Sequence, residues 1–308
     1  MLVPLVAPVM KSLLRSFGYY RRRMYRDAFP GPVVLCYHNA LSNKGRYGGY
    51  TDNEIPFRPL QVTARRLEEH CKAVAETCHA IGLDQFAAGF DDRKQWPKRP
   101  VLMTFDDGYR NLLNVAAPIL ERFGIPAVVF VCTKPLPDGG LLWTDCVASE
   151  LGDAEVERLK GVPDDERREF VAGIETKASP ECMTLSETEL KRLVDRFGWS
   201  VGGHSHSHPI LARCRPDVQK MEIEENLESL ERLLVRRPTA FAYPNGRPGR
   251  DYDATTQNIL ADCGVKCAFT TEAGFVVDAS RPLDVPRMLM TDGVSGTELL
   301  HRLAVSWR

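Results

Sequence analysis

The sequence lacks several features that mark particular classes of protein. Its nine cysteines are scattered without a Cys-x-x-Cys pair, which argues against a structural zinc knuckle and favours buried free thiols. With 40 basic and 41 acidic residues, the chain has no excess positive charge of the kind that nucleic-acid binding needs. It also has no internal repeat. What remains is a chain of 308 residues, 44% of them hydrophobic, which suffices for one barrel-sized domain or two smaller ones.

The N-terminal segment, residues 1–27, is apolar first and basic afterwards. A secretory signal has the opposite order, and the apolar run of residues 1–10 is too short to span a bilayer. We expect this segment to pack as a helix on the outer face of the folded domain, with peripheral contact to a membrane surface as the alternative. Together with free thiols, this pattern predicts a cytoplasmic protein, membrane-associated in the alternative case.

Strand-like and helix-like segments alternate along the rest of the chain. The apolar runs 101–105 and 199–203 predict buried strands. Residues 186–196, which begin with a Ser-x-x-Glu capping box, and the amphipathic stretch 219–236 predict helices. Alternation of this kind indicates a parallel sheet. We therefore predict an α/β fold, an incomplete (β/α) barrel of about seven parallel strands, as a single catalytic domain over residues 28–308.

Two adjacent carboxylates, Asp106 and Asp107, directly follow the predicted strand 101–105. Acids at the end of a buried strand are costly unless a positive partner meets them, and a metal ion is the usual partner. In barrels of parallel strands, the carboxyl ends are also where the chemistry takes place. The alternative is that Asp-Asp-Gly forms a simple turn that caps the helix beginning near Tyr109.

Three of the seven histidines lie in one short stretch, residues 202–209. His204 and His208 are four residues apart, which places both imidazoles on one side of a helical turn, whereas His206 should point away. With Asp107 they would supply three protein ligands and leave a position open for water, as hydrolytic zinc sites require. A chance cluster in a solvated loop is the alternative, which the nearby pair of carboxylates makes weaker.

Thr-Phe-Asp-Asp-Gly at 104–108, followed by His-Ser-x-x-His-Pro at 204–209, resembles the polysaccharide deacetylase family. These are the NodB-homology enzymes of carbohydrate esterase family 4. The resemblance extends from about Val33 to Met290, and the Tyr-His pair that ends at His38 is similar to the branch of poly-N-acetylglucosamine deacetylases. It implies metal-dependent removal of the N-acetyl group of an amino sugar, in a bacterial polysaccharide or its lipid-linked precursor, with release of acetate. The implied cofactor is Zn²⁺ or another divalent transition metal.

The resemblance also implies roles for individual residues. Asp107 would be a metal ligand, and Asp106, whose side chain diverges from it, would be the general base towards water. His38 would donate a proton to the leaving amine, with a core histidine at the end of a strand as the alternative. His301, in an imperfect match to a C-terminal Leu-x-x-His motif, is the second candidate for this acid.

One family motif is altered here. The usual Arg-x-Pro-Tyr-Gly appears as Ala-Tyr-Pro-Asn-Gly, so that Ala242 stands at the arginine position. Arg287, near the end of the last predicted strand, is the best substitute for orienting Asp106, with a surface ion pair as an equal alternative. The altered motif is also the one feature that favours a carbohydrate-binding relative without turnover. A deformylase or another C–N hydrolase of the same fold is a further alternative.

Three residues are candidates for contact with an N-acetylated saccharide. Tyr37 and Trp143 offer rings that can stack on a sugar, although a place in the core is as good an interpretation of Trp143. Asn245 lies in a Pro-Asn-Gly turn that either donates a backbone N–H to an oxyanion or is only a turn.

Overall fold

The computed structural model describes residues 28–42, 46, 47, 50, 51, 60–175 and 184–305, together with Tyr19. The prediction for residues 1–27 therefore lies outside the described residues, apart from Tyr19. No helix in these described ranges is long and apolar enough to cross a membrane. Eight of the nine cysteines, all except Cys182, lie in this part of the chain and are free thiols.

A curled parallel sheet forms the centre of the fold. Its strands are β1 (Val33–Tyr37), β6 (His79–Ala80), β7 (Pro100–Phe105), β8 (Ala127–Val131), β9 (Ser200–Gly203), β10 (Ala240–Ala242), β11 (Cys267–Phe269) and β12 (Met288–Leu289). The main path has seven strands in the order β11-β10-β9-β8-β7-β1-β12, and β6 pairs with β7 beside that path. Two small sheets pair β2 (Asn39–Leu41) with β5 (Gln61–Thr63), and β3 (Arg46–Tyr47) with β4 (Tyr50–Thr51).

The two ends of the sheet approach each other through the segment that contains β12. Phe269 of β11 forms a parallel bridge with Val285, and Met288 then pairs with Leu35 of β1. This curl, with helices packed around it, confirms the predicted incomplete (β/α) barrel of about seven parallel strands.

Ten α-helices in the described residues surround the sheet. They are α1 (Ala64–Thr77), α2 (Leu83–Asp91), α3 (Ala117–Arg122), α4 (Trp143–Leu151), α5 (Asp153–Leu159), α6 (Asp164–Ala172), α7 (Glu187–Phe197), α8 (Pro216–Leu234), α9 (Ala254–Asp262) and α10 (Gly296–Val305). A π-helical turn, Leu112–Ala116, leads into α3. The predicted capping box is present at α7, where Ser186 Oγ accepts from the Glu189 N–H and the Glu189 side chain accepts from the Ser186 N–H.

Strand alternation decides which side chains reach the interior of the barrel. On β1, Val33, Leu35 and Tyr37 pack with the outer helices, whereas Val34 belongs to the interior cluster. On β7, the odd-numbered residues likewise face outwards. Because successive side chains alternate, residues two apart share a face, and the even-numbered residues at the ends of β1 and β7 point into the barrel. This period places His38 and Asp106 on the same side.

Residues 143–172, here called the helical unit, form a small subassembly of α4, α5 and α6. Their apolar cluster is separate from the barrel core and contains Trp143, Val147, Val156 and Leu159. The charged sequence of residues 145–177 predicts helix, and the structure is helical in this region up to the end of α6, apart from short breaks between α4, α5 and α6.

Candidate active site

A cavity of about 510 Å³ opens at the carboxyl ends of the strands. His38, Asp106, Asp107, His204 and His208 all contribute to its wall. Loops after three different strands, β1, β7 and β9, supply these side chains, as expected where parallel strands end at one edge. The fold therefore brings together residues that lie as far as 170 positions apart in the sequence.

Asp107, His204 and His208 converge on one point. Asp107 Oδ1 lies 3.3 Å from His204 Nε2 and 3.4 Å from His208 Nε2, and all three side chains are buried. The imidazoles meet through a loop and not through the helical turn that their spacing suggested. Both Ser205 and His208 have positive φ angles in that loop, 64° and 60°. Such angles are unfavourable for these residue types and are typical of functional sites.

The hydrogen bonds around this triad leave acceptor atoms of its members facing one another. His204 Nδ1 donates to the Ala242 carbonyl at 2.7 Å, so the lone pair of neutral His204 is on Nε2. That lone pair faces Asp107 Oδ1, a buried oxygen that accepts no hydrogen bond. A single proton could bridge only one pair of these atoms, whereas a metal ion could bind Asp107 Oδ1, His204 Nε2 and His208 Nε2 together. The residues present therefore fit a metal ion.

The charges of the triad respond to burial and to each other. Burial opposes the ionisation of Asp107, but the facing histidines hold its pKa well below the ordinary value. Burial lowers the pKa of His208 to about 3, and the nearby cations Lys160 and Arg167 add to this effect. Burial acts on His204 in the same direction, yet Asp107 and Asp106 raise its pKa above the ordinary value. A neutral His208 is ready to act as a ligand.

Asp106 is held by a buried arginine. Arg287 donates from both terminal nitrogens to the two oxygens of Asp106, each at 2.7 Å, and from Nε to the Thr270 carbonyl at 2.8 Å. Its guanidinium also lies about 6 Å from the rings of Phe130 and Phe269. The predicted pairing of Arg287 with Asp106 is thus present, and the surface-pair alternative is wrong because both partners are buried. Burial raises the pKa of Asp106, but Arg287 outweighs this and lowers it.

Cys36 is a residue of this site that sequence reasoning missed. Its Sγ donates to Asp106 Oδ2 at 3.6 Å. A ring nitrogen of His38, an oxygen of Asp106 and the Cys36 sulfur lie within 4.8 Å of one another. The available signal was the strand period, since Cys36 stands two residues before His38 on the inner face of β1.

The structure separates the two candidates for the general acid. His38 is half-buried on the wall of the cavity, its Nδ1 makes no hydrogen bond, and burial lowers its pKa. His301 is half-buried on α10, and it is absent from the described residues that line the cavity. Of these two histidines, His38 is the one that lines the cavity.

Neither aromatic candidate presents its ring to the cavity. Tyr37 is fully buried, stacks on Phe105 at 5.0 Å and shares a hydrogen bond with His70 Nδ1, because strand alternation turns it away from His38. Trp143 is also buried and donates from Nε1 to the His208 carbonyl at 2.7 Å. Both expectations of sugar stacking are corrected, and the core alternative for Trp143 is the better description.

Asn245 does line the cavity. Its backbone is left-handed, with φ of 57°, and its carbonyl accepts from Thr271 Oγ1 at 2.6 Å. Its side-chain Nδ2 is buried and donates no hydrogen bond. An unused donor of this kind is available to a bound polar group.

The helical unit forms another part of the wall, which sequence reasoning did not identify. The cavity is lined by Asp153 and Glu157 of α5, by Lys160 directly after α5, and by Thr144 of α4. Their spacing of four and three residues places them on one face of the helix. No motif marked them, because such spacing of charges is common on solvated helices.

Comparisons with known proteins identify the family of this chain. The family model described as polysaccharide deacetylase matches residues 93–268, which contain Asp106, Asp107, His204 and His208 but neither His38 nor Arg287. The Bacillus subtilis protein YxkH is 20% identical over 265 residues, 86% of this chain and 73% of that protein. The poly-beta-1,6-N-acetyl-D-glucosamine N-deacetylase of Staphylococcus aureus is 22% identical over 211 residues, 66% of this chain but only 58% of that enzyme.

A solved structure shows the same fold. The deacetylase PplD of Streptococcus pyogenes, in complex with acetate, aligns with a TM-score of 0.63 at 21% identity, covering 90% of this chain and 99% of that one. The structural match thus extends well beyond residues 93–268. Since the family model itself covers more than half of the sequence, the chain belongs to the polysaccharide deacetylase family, a family of hydrolases.

Proposed function

We propose that the protein is a metal-dependent hydrolase that removes the N-acetyl group of an amino sugar, in a bacterial surface polysaccharide or its lipid-linked precursor, and releases acetate. The observation that carries this proposal is a buried triad of metal-ligand side chains beside a carboxylate held by an arginine, in one open cavity. The family and the named activity of the S. aureus relative support the substrate class.

Asp107, His204 and His208 would hold the ion. Two imidazoles and one carboxylate are a donor set that suits Zn²⁺ and other divalent transition metals. When bound there, the metal would polarise the acetyl carbonyl and lower the pKa of a water molecule. Three protein ligands leave room for substrate at the same ion.

Asp106 would accept the proton of the attacking water. Arg287 keeps Asp106 ionised and fixes the direction of both its oxygens, so that the carboxylate needs no rearrangement before it accepts the proton. As the C–N bond breaks, the amine of the sugar would take a proton from His38. The lowered pKa of His38 makes its protonated form a stronger acid, and one bridging water molecule would span the distance of under 4.8 Å to Asp106 and return the proton afterwards.

Asn245 would bind the substrate. Its unused Nδ2 donor lies in the wall of the cavity and offers a hydrogen bond to a polar oxygen of the sugar or of its acetyl group. The pairing of Arg287 with Asp106 also argues against a relative without turnover, because Arg287 supplies the guanidinium that is missing at Ala242.

The test is the metal content of the purified protein, measured before and after chelation and zinc reloading. We expect about one ion per chain in the wild type, and its loss in a His204→Ala variant. His206→Ala is the matched control, because His206 instead contacts Thr133 and Glu225. Acetate release from N-acetylated oligosaccharides then tests the reaction. A wild-type protein that stays free of metal after reloading would overturn the proposal.

A further inference from the structure

The two histidines of the proposed metal site are held in different ways. The His204 ring is oriented directly, because its Nδ1 donates to the Ala242 carbonyl, and its backbone N–H donates to Asn226 Oδ1 at 3.2 Å. The corresponding Nδ1 of His208 is buried and makes no hydrogen bond. The direction of the His208 ring therefore depends on how its backbone is fixed.

That backbone is in an unfavourable conformation and is held from both ends. His208 has a φ of 60°, a left-handed angle that a residue with a Cβ adopts only when its surroundings impose it. Its N–H donates to Ser205 Oγ at 3.1 Å within the same loop. Its carbonyl accepts from Trp143 Nε1 at 2.7 Å, across 65 residues of sequence. Trp143 is thus the partner that joins His208 to another part of the fold.

Trp143 is itself firmly placed in the helical unit. It is the first residue of α4 and packs in the apolar cluster with Val147, Val156 and Leu159. The guanidinium of Arg167 lies 4.7 Å from the centre of its ring, and Arg167 in turn is paired with Asp164 in a buried salt bridge. A displacement of the helical unit would therefore move the indole N–H and release the His208 carbonyl.

We propose that Trp143 is a positioning residue for His208, through which the helical unit and the metal site stabilise each other. This inference rests on the proposed function, because it assigns His208 to a metal ion. Residues that orient metal ligands typically change metal affinity by 10- to 100-fold when they are replaced. Because coupling between two sites is reciprocal, a bound metal should also make the helical unit more resistant to local opening.

The decisive variant is Trp143→Phe, which keeps a ring in the apolar cluster and removes the N–H donor. Trp96→Phe is the matched control. Trp96 also donates from Nε1 to a backbone carbonyl, that of Phe86 at 2.9 Å, and also has an arginine, Arg93, near its ring, but it does not line the cavity. The measurements are Zn²⁺ affinity by chelator competition and the absorption spectrum of the Co²⁺-substituted proteins.

We expect Trp143→Phe to bind Zn²⁺ at least 10-fold more weakly than the wild type and to shift the Co²⁺ spectrum, while Trp96→Phe leaves both unchanged. Zn²⁺ affinity within twofold of the wild type, with an unaltered spectrum, would overturn the inference. A wild type that binds no metal would overturn the proposed function as well, so the two failures are distinguishable.

Hydrogen exchange of the wild-type protein tests the same coupling if Trp143→Phe does not fold. Amides of Trp143–Leu151 should exchange more slowly in the zinc-loaded protein than after chelation, whereas those of α7, Glu187–Phe197, should not change. Equal exchange of Trp143–Leu151 in the two states would contradict the coupling.

Discussion

The barrel and the helical unit contribute to the same cavity by different means. Barrel residues reach it from strand ends, where they are buried and bound by several partners, as in the pair of Asp106 and Arg287. On the helical unit, the corresponding ion pair is Glu157 with Lys160, at 2.6 Å, and the Glu157 side chain is 54% exposed. Electrostatic interactions are strong where water is excluded and weak where it is not. Chemistry should therefore depend on the barrel, and substrate contact on both.

Asp106→Asn should produce the largest effect that separates the two regions. The amide has nearly the same shape but cannot accept a proton, so kcat should fall by about 10²- to 10⁴-fold. Zinc content should stay the same, because Asp106 is not among the three proposed ligands. The measurement is acetate release together with metal analysis and a thermal melt, since Arg287 loses its charged partner.

Glu157→Gln is the matched control for Asp106→Asn, because it neutralises a carboxylate of the helical unit in the same cavity. We expect its kcat to remain within a few-fold of the wild type. Equal losses of kcat in the two variants would show that the barrel and the helical unit contribute equally to the chemical step.

The second comparison breaks one buried ion pair in each region. In Arg287→Met, Asp106 is left buried without its partner, which should lower the free energy of unfolding by about 3–5 kcal/mol and also reduce kcat. In Arg167→Met, Asp164 loses its partner on the helical unit, where both side chains are similarly buried. We expect this variant to increase proteolytic cleavage within residues 143–172 with a smaller change in global stability.

Urea unfolding and limited proteolysis of the two variants give the outcome. The interpretation of the helical unit as a separately stabilised subassembly is wrong if Arg167→Met lowers the global free energy of unfolding as much as Arg287→Met does, with no additional cleavage in residues 143–172.

The same contrast governs how much could be predicted from the sequence. In the barrel, apolar strands, capped helices and two motifs at strand ends were sufficient for the fold class. The altered family motif indicated Arg287 as a partner of Asp106, but left a surface ion pair as an equal alternative. Tyr37 was misjudged although the information was present, because a strand period of two places it on the opposite face from His38 and Asp106. Period, not residue type, decides which side chains reach such a site.

The features that could not be predicted depend on tertiary structure. His208 is not a glycine, so its residue type does not indicate a left-handed backbone. Hydrogen bonds with Trp143 and Ser205 hold it in this conformation. The cavity-facing side of α5 has the charge pattern of an ordinary solvated helix. Sequence periodicity identifies elements, but the contact of one element with a distant loop leaves no local signal.

A buried histidine of the barrel gives the smallest of the predicted effects. His70 of α1 is fully buried, donates from Nε2 to the Val294 carbonyl at 2.6 Å and accepts from the Tyr37 hydroxyl. Burial lowers its pKa to about 4, although the bond to Val294 acts in the opposite direction. The helical unit, by contrast, contains no histidine. Acidification should therefore destabilise the barrel through His70, a buried histidine of a kind that the helical unit lacks.

The sign of the effect follows from proton uptake. Between pH 6.5 and about 4 the unfolded chain binds a proton at His70 that the folded protein excludes, so this contribution to stability is complete above pH 6.5 and is lost as the pH falls towards 4. At pH 5 the loss should be about 2 kcal/mol relative to pH 7.5. In metal-free His70→Gln, which retains a donor and an acceptor, urea unfolding should show a smaller difference between these pH values, by about that amount. His79→Gln, which replaces an exposed histidine, should behave like the wild type. An unchanged pH difference in His70→Gln would mean that groups other than His70 are responsible for the acid sensitivity of the barrel.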